Sequence, residues 1–376
     1  MKKTISRIDA SAHLMRLFVA LFFIILWLPI VQMNLPLLSE ATSYEKRKLA
    51  EKPGIWKMIV PSLYVEAYDR YFNDRYGFRV SLIRLNSLFH LKVFHTSTRP
   101  DAIIGKHGWL IYNSPTDGVS LKDYCGNANF SESELKQIKS RIIFIHEELK
   151  KRKIHFLIVV APNKHTIYPE YLPFNIRQPQ GKKTRLDQVA QALNNSDVDF
   201  IDLRFCLQDK KKHTDYPLYY RTDTHWNDLG AFFAYEEILT HLRRTYPGIK
   251  QLGLDDFIVR SENNRGTGDM AYFLNLQGLM SDTRIQLMPK MKFTAVPVPM
   301  TGMGQIIFQV PNLDLPVLVM FRDSFTTPLI PYLSESFSKS IYIGGQKINF
   351  PVIEREKPAI VICELVERYL GNLGGL

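Results

Sequence analysis

The chain has 376 residues, 45% of them hydrophobic and 23% charged, with a formal net charge of +11 and a pI near 9.3. That composition excludes disordered, collagen-like and coiled-coil classes, and the length suffices for one large α/β domain behind an N-terminal anchor. The positive balance suits an anionic polymer or membrane surface. Nucleic acid is not an expected partner, because no compact Lys/Arg run with interleaved aromatics and no zinc-finger spacing occurs.

Residues 17–31 read LFVALFFIILWLPIV behind Lys2, Lys3, Arg7 and Arg16. Extended to Met33 or Leu38, the run reaches the roughly 20 residues a spanning helix needs. Basic residues before it predict a cytoplasmic N-terminus, with everything after Leu38 outside, in the periplasm if this is an inner-membrane protein. No clear A-x-A site follows, which favours an uncleaved signal anchor over a cleaved signal peptide. Pro29 would kink this helix near its outer end. The expected division is therefore 1–38 as cytoplasmic tip and anchor, 39–100 as juxtamembrane linker and helical segment, and 101–376 as catalytic domain.

Glu45-Lys46-Arg47-Lys48 forms a charged patch in the linker. Apolar spacing over 62–95 predicts two helices joined near Tyr76-Gly77. Residues 101–112 read as two short strands with a turn at Lys106-His107-Gly108. Ser131 with Glu134 is a capping box opening a helix to about Arg152. The run at 154–162, IHFLIVVAP, reads as a buried parallel strand. A helix at 184–194, a strand at 198–203 and a helix from about Asn227 to Arg244 follow. Then come a strand at 316–321, a helix at about 326–337 and strands at 340–344 and 358–364. This alternation predicts a parallel sheet with helices on both faces.

Two short segments carry candidate chemistry. In VLVMFRDSFTT (317–327) a buried strand runs into Asp323-Ser324-Phe325. Ligands of parallel α/β folds sit outside the carboxyl ends of strands, so Ser324 would stand at the top of the sheet with backbone N–H groups aimed at a developing oxyanion. The same Asp-Ser pair also serves as a plain helix cap. In YYRTDTHWNDLG (219–230), Asp223 and His225 are two apart. In an extended segment both face one side, and the carboxylate would fix the imidazole tautomer, leaving the other ring nitrogen for a serine hydroxyl. A loop histidine beside a carboxylate is also common without any task. Trp226 would pack on the sheet or on substrate. Tyr219, Tyr220 and Trp109 are candidates for stacking on sugar rings. Asn163 and Lys164, ending a strand, are candidates to line the pocket, although Lys164 also reads as a surface charge.

Arg221-Thr222-Asp223-Thr224-His225-Trp226-Asn227 together with Arg322-Asp323-Ser324-Phe325 resembles the alginate O-acetyltransferase family, the SGNH-like domains of alginate biosynthesis proteins J and X. YFNDRYGFR (71–79), GKHGWLIY (105–112), APNKHTIYPEYLP (161–173), RGTGDMAYFL (265–274) and KPAIVICELVERYL (357–370) agree in the same order. The resemblance implies an SGNH-hydrolase-like α/β domain with permuted motif order, the Asp-x-His pair preceding the serine. By position Asp223, His225 and Ser324 would be orienter, base and nucleophile. It further implies acetyl transfer to hydroxyls of an exported polysaccharide, with a multipass membrane acyltransferase as acetyl source and no cofactor. Oxyanion donors are harder to assign: Gly268 and Asn163 are candidates, and the Ser324 N–H is another. Arg322 stands where the SGNH motif has glycine, either stabilising charge at the site or pairing with Asp323. The chain ends soon after its last strand and helix, without the extra carbohydrate-binding module of the X-type relative, which favours the anchored J-type role.

None of the ten histidines has HxxxH or HxH spacing, so no metal is expected. Gly266-Thr267-Gly268 is too short for a dinucleotide fingerprint, and no P-loop occurs. Cys125, Cys206 and Cys363 lack CxxC spacing. Two of them would pair in an oxidising compartment, or all three are buried small side chains.

Overall fold

From His13 to Leu28 the N-terminal helix exposes its side chains instead of burying them. A computed structural model describes residues 2–38, 48–113, 120–176, 179, 182–266, 268–299 and 304–376. They fall into two compact units, 1–98 and 99–376. In the first, α1 (Lys2–Asn34) contains the 23-residue stretch Ala12–Asn34, long and apolar enough to cross a membrane. Leu17, Phe22 and Ile25 on it are exposed, as on a membrane anchor, and Pro29 lies inside it. Helices α2 (Pro61–Arg75) and α3 (Arg79–Phe89) follow, joined at Tyr76-Gly77 as expected. Gly77 is required there, because a Cβ would collide with the Pro29 carbonyl oxygen. Glu45, Lys46 and Arg47 of the linker patch lie outside the described residues, as does Thr267.

The second unit opens with the expected hairpin, β1 (Ala102–Ile104) antiparallel to β2 (Leu110–Tyr112). His107 and Gly108 in its turn have φ of 54° and 77°, which suits Gly108 and leaves His107 in a conformation that L residues rarely take. After α4 (Ser120–Tyr124), the capping box at Ser131 and Glu134 starts α5 (Glu132–Lys151) as expected. Next come β3 (His155–Ala161), α6 (Lys164–Ile167), α7 (Arg185–Leu193), β4 (Asp199–Asp202), α8 (Leu203–Lys212) and α9 (Asp228–Leu242). An antiparallel pair, β5 (Phe257–Arg265) and β6 (Ser281–Pro289), flanks α10 (Asp269–Phe273). The chain continues through β7 (Val296–Pro297), β8 (Gln305–Gln309), β9 (Val317–Arg322), α11 (Ile330–Ser334), β10 (Lys339–Gly344), α12 (Phe350–Glu356) and β11 (Ile360–Val366).

Seven strands form the central sheet in the order β4-β3-β11-β9-β10-β8-β7. The first five are mutually parallel, as expected from their runs of apolar residues. Strands β8 and β7 add an antiparallel edge that the reading as a purely parallel sheet did not include. Alternation sorts side chains between two cores. Leu157, Val159, Leu318, Met320, Ile360 and Ile362 join the core under α8 and α9, while Phe156, Ile158, Val319, Phe321, Val361 and Cys363 join the core under α5 and α7. Each such burial contributes roughly 1.5–3 kcal/mol. All three cysteines are free thiols.

Candidate active site

Because β3, β11 and β9 are parallel neighbours, their carboxyl ends share one edge of the sheet. Asn163 and Lys164 leave β3 there, Arg368 follows β11, and β9 delivers Ser324, whose side is exposed. The expected helix at 326–337 is instead a 3-10 turn over Ser324–Leu329 followed by the short α11. Pro328 and Pro331 lack the N–H groups a continuous helix would use. The turn is held from below. Asp323 Oδ1 accepts from the Phe325 N–H at 2.8 Å and Oδ2 from the Val366 N–H at 2.7 Å. The Asp323 N–H and the Thr326 hydroxyl both donate to Glu364 Oε2, at 3.2 and 2.7 Å. Glu364 is fully buried, and burial with the nearby Asp323 charge pushes its carboxyl well above the usual range. The site therefore favours its protonated form beneath the turn.

Residues 219–226 form the opposing loop. The Tyr220 N–H donates to the His225 carbonyl at 3.2 Å and the Asn227 N–H to that of Leu218 at 2.9 Å, closing its neck. Asn227 then caps α9, its Oδ1 accepting from the Leu229 and Gly230 N–H groups at 3.1 Å, a cap worth about 1 kcal/mol. Asp223 and His225 meet through an Asx-type turn and not through an extended segment: Asp223 Oδ1 accepts from the His225 backbone N–H at 3.0 Å. Asp282 of β6 accepts from the Arg221 N–H at 2.9 Å and the Thr222 N–H at 2.7 Å. Lys164 donates to the carbonyls of Tyr220, Arg221 and Asp223 at 3.1, 3.1 and 2.6 Å, one acceptor for each of its three N–H bonds. Burial pushes its ammonium down to about 8 against the pull of Asp269, Asp223 and Asp282.

Across this gap His225 Nε2 lies 2.7 Å from Ser324 Oγ, and His225 Nδ1 lies 2.6 Å from Asp223 Oδ1. Burial alone would raise the Asp223 carboxyl. The hydrogen bonds from His225 and from the Asp269 N–H overcome it and hold it at about 2. The structure thus brings Ser324, His225 and Asp223 into one chain of short contacts with the geometry a nucleophile, base and orienter require.

Asp269 and Thr224 were missed in the sequence. Asp269 Oδ2 accepts from the Thr224 hydroxyl at 2.6 Å and stands 3.7 Å from His225 Nδ1, a second carboxylate beside the imidazole. Burial and the Asp223 charge raise its carboxyl. Its position in GDM, forty-odd residues from His225, gave no local signal.

Other candidates take different places. Lys164 is buried and pins the base loop, so it is neither a surface charge nor a free pocket group. Asn163 is buried at the end of β3, its Oδ1 accepting from Arg368 at 3.1 Å. Gly268 packs behind Asp223: a Cβ would overlap the Thr222 carbonyl oxygen and stand 2.6 Å from the Asp223 nitrogen. It serves close packing behind the loop. Arg322 does not pair with the Asp323 carboxylate, whose oxygens are taken by backbone N–H groups. It donates to the Asp323 carbonyl and the Thr327 hydroxyl, both at 3.1 Å. Trp226 is 1% exposed and donates its indole N–H to the Phe325 carbonyl at 2.9 Å. It ties the two halves together and offers no face to a substrate. Tyr219 and Trp109 are likewise buried. Tyr220 lines a cavity of about 230 Å³ with Asp223, Gly268, Asp282 and Arg284, and stays a candidate for substrate contact.

A family profile described as the SGNH hydrolase-like domain of the acetyltransferase AlgX matches residues 102–306, more than half the chain. The chain belongs to this family. The matched stretch holds Asp223, His225 and Asp269, while Ser324 follows it. The probable alginate O-acetylase AlgJ of Pseudomonas aeruginosa is 25% identical over 219 residues, 57% of this chain and 51% of the relative. AlgJ of Pseudomonas syringae pv. tomato is 24% identical over 234 residues, 62% of this chain and 55% of the relative. The chain therefore spans about half the length of the curated relatives it matches. Among solved structures, Bacillus cereus PatB1 with a sulfonyl adduct superposes with a TM-score of 0.51 at 17% identity, covering 71% of this chain and 94% of that one. A DHHW family protein from Eubacterium siraeum gives 0.50 at 17% identity, over 73% and 98%. These likenesses establish the SGNH-like α/β fold.

Proposed function

We propose that this AlgX-family chain is a serine-dependent O-acetyltransferase that acetylates hydroxyls of an exported, alginate-like polysaccharide. The observation that carries the reading is the pair of short contacts on one imidazole, Nε2 to Ser324 Oγ at 2.7 Å and Nδ1 to Asp223 Oδ1 at 2.6 Å. His225 Nε2 takes the Ser324 proton as Oγ attacks the carbonyl carbon of an acetyl ester or thioester. The tetrahedral oxyanion collapses, the donor's alcohol or thiol leaves with the proton from His225, and acetyl-Ser324 remains. A sugar hydroxyl then gives its proton to His225 and attacks the acetyl carbonyl, and Ser324 Oγ leaves and regains that proton. The Ser324 N–H and the side-chain amide of Asn163, oriented by Arg368, are the oxyanion donors in this scheme.

The apolar stretch Ala12–Asn34 supports a single-pass anchor, with the N-terminus in the cytoplasm and the second unit in the periplasm. There the acetyl source would be a multipass membrane acyltransferase. Exposure of Ser324 favours one second reading, in which water is the acceptor and the chain removes acetyl groups. The test incubates the full-length protein in detergent with a chromogenic acetyl ester and an uronate oligosaccharide. The expected result is an acetyl adduct by intact mass, absent in Ser324→Ala, and oligosaccharide that gains acetyl. Turnover equal in wild type and Ser324→Ala would overturn the assignment, and loss of acetyl from a pre-acetylated oligosaccharide would select the hydrolytic reading.

A further inference from the structure

A second convergence of histidine and carboxylate lies at the opposite end of the sheet. His155 opens β3, Asp199 opens β4 and His241 sits in the last turn of α9. In the parallel register Asp199 pairs with Leu157. Side chains two apart on a strand share a face, so His155, Leu157 and Asp199 all point to the side on which α9 packs. His241 comes down onto the same spot. Its Nε2 is 3.2 Å from Asp199 Oδ2, and His155 Nε2 is 2.5 Å from that same oxygen. All three donor atoms lie within 4.8 Å of one another. The Tyr246 ring stacks on His155 at 5.8 Å and 22°, fixing the plane of the imidazole.

We propose that His155, Asp199 and His241 form a binding site for a divalent transition-metal ion, zinc in the first instance, that clamps the end of α9 to the edge of the sheet. Two imidazoles and one carboxylate are a donor set that zinc takes, with ligand distances of about 2.0–2.2 Å. Donors around a tetrahedral zinc stand roughly 3.3 Å apart, so the three atoms need to shift by less than about 1 Å. Both imidazoles aim at one carboxylate oxygen, so the three donor atoms already face a common point. Side-chain exposures of 14%, 40% and 20% for His155, Asp199 and His241 leave an entry path and room for water to complete the coordination. Each ligand comes from a different element, which is why no HxH or HxxxH spacing announces the site. It is separate from the triad: β3 runs seven residues from His155 to Ala161 before its carboxyl end, about 20 Å away. Its effect is on stability, through α9, whose first turn follows His225.

The experiment is zinc titration of the metal-stripped full-length protein in detergent, followed by isothermal calorimetry and by the melting temperature. The expected result is one saturable equivalent per chain and a rise in Tm of a few degrees. Both should vanish in His241→Ala and Asp199→Asn and persist in His213→Ala, which alters an exposed histidine elsewhere. They should also persist in His225→Ala, because Asp223, His225 and Asp269 offer a rival cluster. Binding that survives His241→Ala, that disappears only in His225→Ala, or that never saturates overturns the proposal. X-ray absorption at the zinc edge on the wild-type complex decides without any variant. Two imidazoles with oxygen ligands are expected, and any thiolate ligand refutes the site.

Discussion

The two halves of the proposed triad are held by opposite means. The nucleophile turn grows out of a central strand, and its support is a buried acid, Glu364, beneath Asp323. The base loop has no strand or helix within it. Its shape comes from charged side chains on other elements: Lys164 from α6, Asp282 from β6 and Asp269 from α10. A strand end is rigid because its neighbours pair with it, so one buried acid suffices. An irregular loop must have its carbonyls and N–H groups satisfied one at a time, and buried charges do that most strongly.

The contrast can be tested from the largest expected effect downward. Ser324→Ala should lower acetyl-ester turnover by on the order of 10³-fold or more while changing Tm little, because the side chain is exposed and gives up one exposed hydrogen bond, to His225. Asp223→Asn should cost a similar factor in turnover through loss of the imidazole orientation. It should also remove an acid dependence. With the Asp223 carboxyl held at about 2 against an ordinary 3.8, its contribution is present above pH 4 and lost as pH falls toward 2. Denaturant melts of the two proteins across that window check the sign.

Lys164→Met should release the base loop and lower turnover on the order of 10²-fold, with unequal effects on stability at different pH. The folded ammonium titrates near 8 and the unfolded one near 10.5. Between those values the unfolded chain binds the extra proton, so this group makes wild-type stability rise with pH. The methionine variant should lack that rise. Glu364→Gln should be the mildest change, within about 1 kcal/mol near pH 4, since an amide resembles the protonated acid. Its signature has the opposite sign. A raised carboxyl contributes stability below its unfolded value of 4.5 that is lost as pH rises, so wild type should weaken relative to Glu364→Gln above that pH. If Glu364→Gln damaged activity more than Lys164→Met, the contrast between the two halves would be reversed.

Legibility followed the same division. The β9 strand and Asp323-Ser324 stood out because a buried parallel strand is a continuous apolar run ending in polar residues. Asp223 and His225 were legible as a pair, but the Asx turn joining them was not, since i, i+2 spacing fits both geometries. The hairpin of β5 and β6 escaped notice because most of β5 faces solvent and β6 shows only a short alternation at Ile285 and Leu287, and Asp269 and Asp282 went with it. Trp226 read equally as packing on the sheet or on substrate and is an internal tie, because an aromatic residue beside a candidate histidine reads the same in either role.

By itself the sequence determined the apolar N-terminal helix, the parallel strands and the residue types at each carboxyl end, since these depend on local hydrophobicity and period. Only the tertiary structure decided which charges meet. Lys164 reaches the loop 56 to 59 residues away, and His155 and His241 meet at Asp199 from different elements. Such pairings depend on strand order and crossover, and short-range pattern carries no information about either.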